Sequence, residues 1–277
     1  MLLIKFDKMQ SLGNDFVMVD LDQFSRKPLW GADFFRKICD RNYGIGCDTA
    51  VLYQKSNDGS QVQAEFFNAD GSEAEICGNA ARCLGSLMKE RYGKPKFLLK
   101  AGGKICPILA EDEISVDMGK PSFDPEDIGF SKPVPDPLSV TEHLPCDADV
   151  SVASCISVGN PHLVLFVPEA PTAERTASLA KMSENSLFRN KINVSAAFVK
   201  SENEIILSVF ERGAGPTLAC GSGACAAVAV ARLKGLVKSE KVRVYQRGGI
   251  LTVSVDNEGN ILQSGPASFV FCGEIYL

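Results

Sequence analysis

Long basic runs are missing from this chain. Its 29 lysines and arginines are outnumbered by 34 acidic residues, for a net charge of −5, so a nucleic-acid partner is not expected. No apolar stretch approaches the roughly 20 residues that cross a bilayer, and no membrane partner is expected. The opening M-L-L-I-K-F-D-K-M has neither the apolar core nor the small-residue cleavage site of a secretory signal. G-S-G-A at 221–224 lacks the G-K-[ST] ending of a phosphate-binding loop, and C-G-S-G-A lacks the G-x-S-x-G elbow of a serine hydrolase. Cysteine is plentiful, with ten residues. In a chain of this length without a secretory start, they do not read as a disulfide framework. A reducing cytoplasm is the expected setting. Steps of six from Cys77 to Cys83 and five from Cys220 to Cys225 do not match the C-x₂₋₄-C knuckle of a zinc site, so no metal is expected.

What the chain does have is one pattern written twice. F-N-A-D-G-S-E-A-E-I-C-G-N-A-A-R-C runs from Phe67 to Cys83, and F-E-R-G-A-G-P-T-L-A-C-G-S-G-A-C from Phe210 to Cys225. In both, a Phe precedes a Cys-Gly pair by ten positions. Upstream, S-L-G-N-D-F at 11–16 is matched by S-V-G-N-P-H at 157–162. Asn14 precedes Cys77 by 63 residues and Asn160 precedes Cys220 by 60. With 277 residues, 45% hydrophobic and 23% charged, the chain suits two globular domains of ordinary size. A duplicated fold with one cysteine per half suggests one site between two domains, with a thiol on each side.

Alternating apolar runs predict strands at Ile4–Met9, Phe16–Asp20, Val62–Phe67, Lys104–Leu109, Ile114–Met118, Leu163–Val167, Ile205–Phe210, Lys241–Tyr245 and Leu251–Val255. Helical pattern covers Asp33–Arg41, Asn79–Tyr92, Ala173–Met182 and Gly221–Lys234, with Gly93 and Gly235 where C-terminal caps belong. Residues 221–231 carry no charge; a helix apolar all round belongs inside a core. Six of the fourteen prolines fall between Pro121 and Pro145. That stretch reads as the connection between halves, setting domains at 1–122 and 123–265.

Cys77 and Cys220 each stand directly before a predicted helix, whose free N–H groups and dipole favour thiolate over thiol. The same N–H groups suit a carboxylate, and Gly78 and Gly221 let a ligand approach the backbone closely. Two such sites facing one cavity would set an α-carbon between two sulfurs. A thiolate removes its proton on one face, a thiol returns one on the other, and the stereocentre inverts without a cofactor. Cys39, Cys47, Cys106, Cys146, Cys155 and Cys272 read as small buried hydrophobes, and Cys83 and Cys225 as helix core. Asn14, Asn68, Asn160 and Asn193 stand in or beside turn-forming sequence, where an Asn is commonly a turn former. Asn68 occupies the repeat position of Glu211, however, which favours a shared pocket. Glu211–Arg212 is either a solvated strand end or a pair suited to an ammonium and a second carboxylate. His162 is either structural or a neighbour of the thiols. Classes that compete with a racemase are a binding protein that keeps the cleft and a redox-sensing dithiol protein.

Taken together, G-N-D-F at 13–16, D-R-N-Y-G-I-G-C-D at 40–48, F-N-A-D-G-S-E at 67–73, C-G-N-A-A-R-C at 77–83, G-N-P-H at 159–162, and E-R-G-A-G with A-C-G-S-G-A-C-A-A at 211–227 resemble the diaminopimelate epimerase family over essentially the whole chain. The resemblance implies an α+β fold of two pseudo-symmetric domains, each a β-barrel-like mixed sheet around a central helix. It implies that the last strand returns to the first domain, joining 266–277 to 1–122. It further implies a cofactor-independent enzyme, commonly a homodimer, that interconverts L,L- and meso-diaminopimelate for lysine and peptidoglycan synthesis. By position, Cys77 and Cys220 would be the two bases. Gly78–Asn79 and Gly221–Ser222 would hold the reacting carboxylate. Asn14, Thr49, Asn68, Asn160, Asn193, Glu211 and Arg212 would bind substrate, and His162 and Glu211 would adjust the thiols. Four positions depart from the family: Thr49 where Gln is usual, Pro216 in E-R-G-A-G-P, Ala80 for a frequent Gly, and Phe271 where a Tyr often serves the dimer. Asn79 stands where the related proline racemases typically show His, which argues against that activity. Another two-cysteine racemase, acting for example on histidine, is the alternative.

Overall fold

The computed structural model describes residues 2–74, 76–145 and 149–276. The chain divides into two compact units, Met1–Val116 with Gly265–Leu277, and Asp117–Ser264.

In the first unit, β1 (Leu3–Ser11) and β2 (Asn14–Asp20) form an antiparallel pair. Leu12 and Gly13 turn between them with φ of 56° and 82°. Helix α1 (Ala32–Cys39) leads to β3 (Thr49–Lys55), which lies parallel to β2. β4 (Gln61–Asn68) runs antiparallel to β3 and turns at Gly71 into the two-residue β5 (Glu73–Ala74). The chain then enters α2 (Gly78–Tyr92). β6 (Lys96–Ala101) returns parallel to β4, and β7 (Lys104–Ala110) and β8 (Ile114–Asp117) follow as an antiparallel meander. Every residue of α2 from Gly78 to Met88 is buried, and Gly93 closes the helix in the left-handed region at φ 64°.

The second unit repeats this order after a short helix, α3 (Pro125–Ile128). β9 (Val152–Ser157) and β10 (Pro161–Phe166) pair antiparallel. Helix α4 (Ala173–Ala180) leads to β11 (Asn193–Ser201), parallel to β10. β12 (Glu204–Glu211) runs antiparallel to β11 and turns into β13 (Gly215–Pro216). Helix α5 (Gly221–Leu233) follows, then β14 (Lys241–Gln246) parallel to β12, and then β15 (Gly249–Val255) and β16 (Ile261–Gly265). Helix α5 lies against β9, β10, β11, β12 and β15, and its uncharged stretch from Gly223 to Ala231 is buried, as an all-round apolar helix requires. The last strand, β17 (Ser268–Tyr276), belongs to the first unit. It pairs antiparallel with β1, from Leu3 opposite Tyr276 to Gln10 opposite Ser268. The fold is therefore two α+β units with the same strand pairings, each a mixed sheet with a buried helix.

The proline-rich stretch packs into the core of the second unit through Ile128, Phe130, Val134, Val140 and Leu144. Cys39, Cys47, Cys106, Cys155, Cys83 and Cys225 are buried as expected. Cys146 lies outside the described residues. Cys272 is a correction: it is exposed, in the stretch of β17 where Val270 and Phe271 also meet solvent. Cysteine's preference for the core does not outweigh its place on an outward stretch of strand.

Candidate active site

Both repeated cysteines are the residues that cap a buried helix at its start. Cys77 caps α2 with φ −103° and ψ 117°, and Cys220 caps α5 with φ −127° and ψ 115°. This extended backbone before the first turn is what an N-cap requires. The two side chains then differ. The Cys220 sulfur accepts from the backbone N–H of Gly223 at 3.3 Å and lies 3.4 Å from Ser222 Oγ. The Cys77 sulfur lies 3.8 Å from Asn14 Oδ1 and takes no cap bond from its helix.

Around Cys77, the residues named from sequence form a connected set. Asn79 Nδ2 donates to Asn14 Oδ1 at 3.2 Å, and Asn14 Nδ2 donates to Asp48 Oδ2 at 2.9 Å. Arg41 bridges Asp15 and Asp48, and Lys8 pairs with Asp15 at 2.6 Å. Burial pushes the Asp15 carboxyl up, but hydrogen bonds from Arg41 and Lys8 more than offset it and hold it well below the usual carboxylate range. Gly78 is the buried first residue of α2. Thr49 is buried and stands opposite Asn68 in the β3–β4 ladder. Asn68 is exposed and bonds Ser72 Oγ at 3.0 Å; no bond joins it to the Cys77–Asn14–Asn79 group among the described contacts.

Around Cys220 the set is Asn160, His162 and Ser222. His162 Nε2 lies 3.0 Å from both Asn160 Oδ1 and Ser222 Oγ, so the ring reaches the sulfur through the serine hydroxyl. His162 is fully buried. Burial first, and the charge of Arg212 second, push its pKa down to about 3, so the imidazole is neutral. Asn193 donates to Pro161 O at 2.9 Å and accepts from Arg212 N at 2.8 Å, which fixes the chain where β12 ends. Thr217 Oγ1 donates to Glu211 Oε1 at 2.6 Å. The Arg212 guanidinium reaches Asn190 O at 3.4 Å. Gly221 is the buried first residue of α5.

Strand register aligns the halves. Phe16 pairs with Thr49 as His162 pairs with Asn193, each two residues past the repeated Asn. Thr49 is therefore the counterpart of Asn193, and Phe16 that of His162. Sequence reasoning missed the residues that hold the site from behind: Asp48, Ser11, Arg82 and Gln246. Arg82 Nη2 donates to Asn79 Oδ1 at 2.5 Å and to Ser11 Oγ at 2.8 Å, and Gln246 Oε1 accepts from Cys220 N at 2.8 Å. The available signal was Arg82 itself, a lone charge among the small and apolar residues that open α2. Among the described residues, no group of three or more His, Cys, Asp or Glu is arranged to hold a metal, and no helix is long and apolar enough to cross a membrane. Each half thus presents a cysteine at the start of a buried helix, beside N–H groups of the kind that suit a carboxylate.

Proteins of this fold include epimerases of amino acids. A hydroxyproline epimerase from Agrobacterium vitis, solved with trans-4-OH-L-proline bound, matches with a TM-score of 0.65 at 10% identity, over 99% of this chain and 91% of that one. A phenazine biosynthesis protein of the PhzF family from Bacillus anthracis matches with a TM-score of 0.69 at 16% identity, over 100% of each chain. At these identities the likeness is one of fold. Sequence narrows it: residues 6–123 and 154–270 match the diaminopimelate epimerase family model, and the chain belongs to that family. It is 37% identical to the diaminopimelate epimerase of Phenylobacterium zucineum, over 98% of this chain and 97% of the relative. It is 38% identical to that of Rickettsia felis, over 99% and 97%.

Proposed function

We propose that this chain is a cofactor-independent isomerase of the cytoplasm that interconverts L,L- and meso-diaminopimelate. Cys77 and Cys220 act as its two acid–base groups. The observation that carries the reading is the repeated N-cap cysteine, one per unit, on a largely buried helix, in a chain of this family. The thiolate takes the α-proton into a new S–H bond, and the electron pair of the broken C–H bond delocalises into the α-carboxylate. The other thiol returns a proton to the opposite face. N–H groups of Gly78–Asn79 and Gly221–Ser222 hold that carboxylate, which stabilises the charge developing on it. Asn14, Thr49, Asn68, Asn160 and Asn193 bind the remaining polar groups, Arg212 the distal carboxylate and Glu211 an ammonium. His162 tunes Cys220 through Ser222, and Glu211 contributes to thiol tuning. The working form is a homodimer.

Deuterium uptake at the α-carbon in D₂O tests the reading across a panel of amino acids. Exchange into L,L-diaminopimelate supports it. Exchange into histidine or another amino acid, with none into L,L-diaminopimelate, overturns the substrate while keeping the two-thiol chemistry. Thr49→Gln restores the usual family residue and is expected to preserve or raise kcat/KM for diaminopimelate.

A further inference from the structure

A second pair of sulfurs lies apart from the repeated cysteines. Cys39 ends α1, Cys47 stands two residues before β3, and the Cys47 thiol donates to the Cys39 sulfur at 3.4 Å. Neither takes part in the proton transfer proposed above. The backbone brings them together, because the loop between them folds back on the end of α1. Ile45 N and Gly46 N both donate to Ile38 O at 3.0 Å, Gly44 N donates to Asp40 O at 3.0 Å, and Cys47 N donates to Cys39 O at 3.1 Å. Gly44 permits this close approach, since a Cβ there would meet Lys37 O at 1.8 Å. The N–H···O bond between the two cysteines sets their backbones side by side, which suits the short Cα separation that a disulfide needs. The sulfurs have only to turn from contact to the roughly 2 Å of a covalent bond. Asp48 can stay where it is, with its N–H on Asp15 O at 3.1 Å.

The two thiols are unequal. The hydrogen bond from Cys47 draws the Cys39 thiol below its ordinary value against burial, and the Lys8 ammonium adds to this while Asp15 opposes it. The bond with Cys39, and then burial, push the Cys47 thiol up. Lys8 is held in place by Gly46 O and by Asp15 at 2.6 Å. Cys39 is therefore the sulfur that attacks as thiolate, and Cys47 the one that follows. Both are in the core, Cys39 4% and Cys47 2% exposed. Residues 41–43 of the loop between them are exposed, so a small oxidant enters when that turn opens.

We propose that Cys39 and Cys47 are an oxidisable dithiol that hydrogen peroxide closes into a disulfide latch on the loop between α1 and β3. The Cys39 thiolate attacks one peroxide oxygen, the O–O bond breaks, and hydroxide leaves a sulfenic acid on Cys39. The Cys47 sulfur then attacks the Cys39 sulfur. The S–S bond forms, the S–O bond breaks, and the departing hydroxide takes the Cys47 proton as water. Each sulfur gives up one electron, and the peroxide, taking both, ends as two waters. In a reducing setting the pair rests as two thiols, and thiol exchange reopens the latch. The closed ring spans nine residues, 39–47. It contains Arg41, which bridges Asp15 and Asp48, so the latch fastens the loop from which that bridge is made. The proposal goes beyond the reaction at Cys77 and Cys220 and stands whatever their substrate.

Peptide mapping of the full chain after a graded series of peroxide doses, with remaining thiols blocked by N-ethylmaleimide, reads the latch directly. Trypsin cuts after Lys37, Arg41 and Lys55, so residues 38–41 and 42–55 travel as one linked peptide that splits on reduction. That peptide is expected to grow with dose in the wild type and to vanish with dithiothreitol. Stability is measured in Cys77→Ala/Cys220→Ala, which keeps the repeated cysteines out of the reading. There the oxidised form is expected to melt about 3–8 °C above the reduced form, as a short closed ring gives in a chain of this size. Adding Cys47→Ala, or Cys39→Ala, to that background should abolish both the linked peptide and the shift. Residues 39 and 47 recovered as two alkylated thiols throughout the peroxide series overturn the proposal. So does a linked peptide with no rise in Tm, or a rise that survives both added substitutions.

Discussion

Removing one thiol leaves the helix that Cys77 or Cys220 caps in place and takes away only the proposed proton-transfer group. Cys77→Ala and Cys220→Ala are each expected to keep native circular dichroism and to lose about 10²–10⁴-fold in turnover, the range for one acid–base group. More than a tenth of the activity surviving in either variant counts against the assignment. His162 supplies a second residue-scale prediction. In the folded chain its pKa is pushed from 6.5 to about 3, while the unfolded chain titrates it near 6.5. Between these values the unfolded state binds a proton that the native state refuses, so the stability is present above pH 6.5 and is lost as pH falls toward 3. The full slope for one such group is about 1.4 kcal/mol per pH unit. Denaturant melts between pH 6.5 and 4.5 should show a shallower loss for His162→Gln than for the wild type. Parallel curves would remove His162 as the source. Repetition made the two cysteines legible in sequence, because chance rarely places Phe, Cys-Gly and an upstream Asn at matched distances twice. Asp48, Arg82 and Gln246 have no such double. Their parts depend on which side chains meet across strands and helices, and one-dimensional spacing does not hold that information.

At the scale of elements, the strands that alternation reveals are those with one covered face, such as β4 and β7. Some of those it hides are covered on both. β3, β9 and β11 are buried almost without interruption along their first halves or throughout. β3 and β11 each lie between a parallel and an antiparallel neighbour, where a continuous apolar run replaces alternation. Helices α2 and α5 were readable because Cys-Gly opens each and a glycine follows each. Turns carry sharper constraints. Gly71 sits between β4 and β5 at φ 83°, and a Cβ there would meet Ala32 O at 2.4 Å and Ala32 Cα at 2.8 Å, at the start of α1. Gly71→Ala combines a left-handed backbone, costing about 1–2 kcal/mol, with a clash against main chain that cannot swing aside. A loss of at least about 2 kcal/mol in denaturant unfolding is expected. A change below about 0.5 kcal/mol would show that the turn adapts.

At the scale of the whole molecule, the proposed homodimer has a testable surface. Val270, Phe271 and Tyr276 of β17 are 55%, 49% and 64% exposed, and Leu3 of β1 is 36% exposed, an apolar set of the kind that marks an association site. Light scattering coupled to size exclusion is expected to give twice the chain mass of 29.8 kDa, and Phe271→Asp to shift it toward one chain. A monomeric wild type would contradict the dimer. The pairing of β17 with β1 also imposes an order in time. The second unit is continuous, Asp117–Ser264, so all of its strands are made before β17. The first unit must wait. Until Ser268–Tyr276 emerges, β1 has no partner on the side β17 will occupy, and that open row of N–H and C=O groups is a template for any other extended chain. The nascent protein therefore holds every strand of its later half before its earlier half is complete. During that interval its exposed edge is a target for holdase chaperones, and shortening the chain from the carboxyl end should turn a folding delay into aggregation.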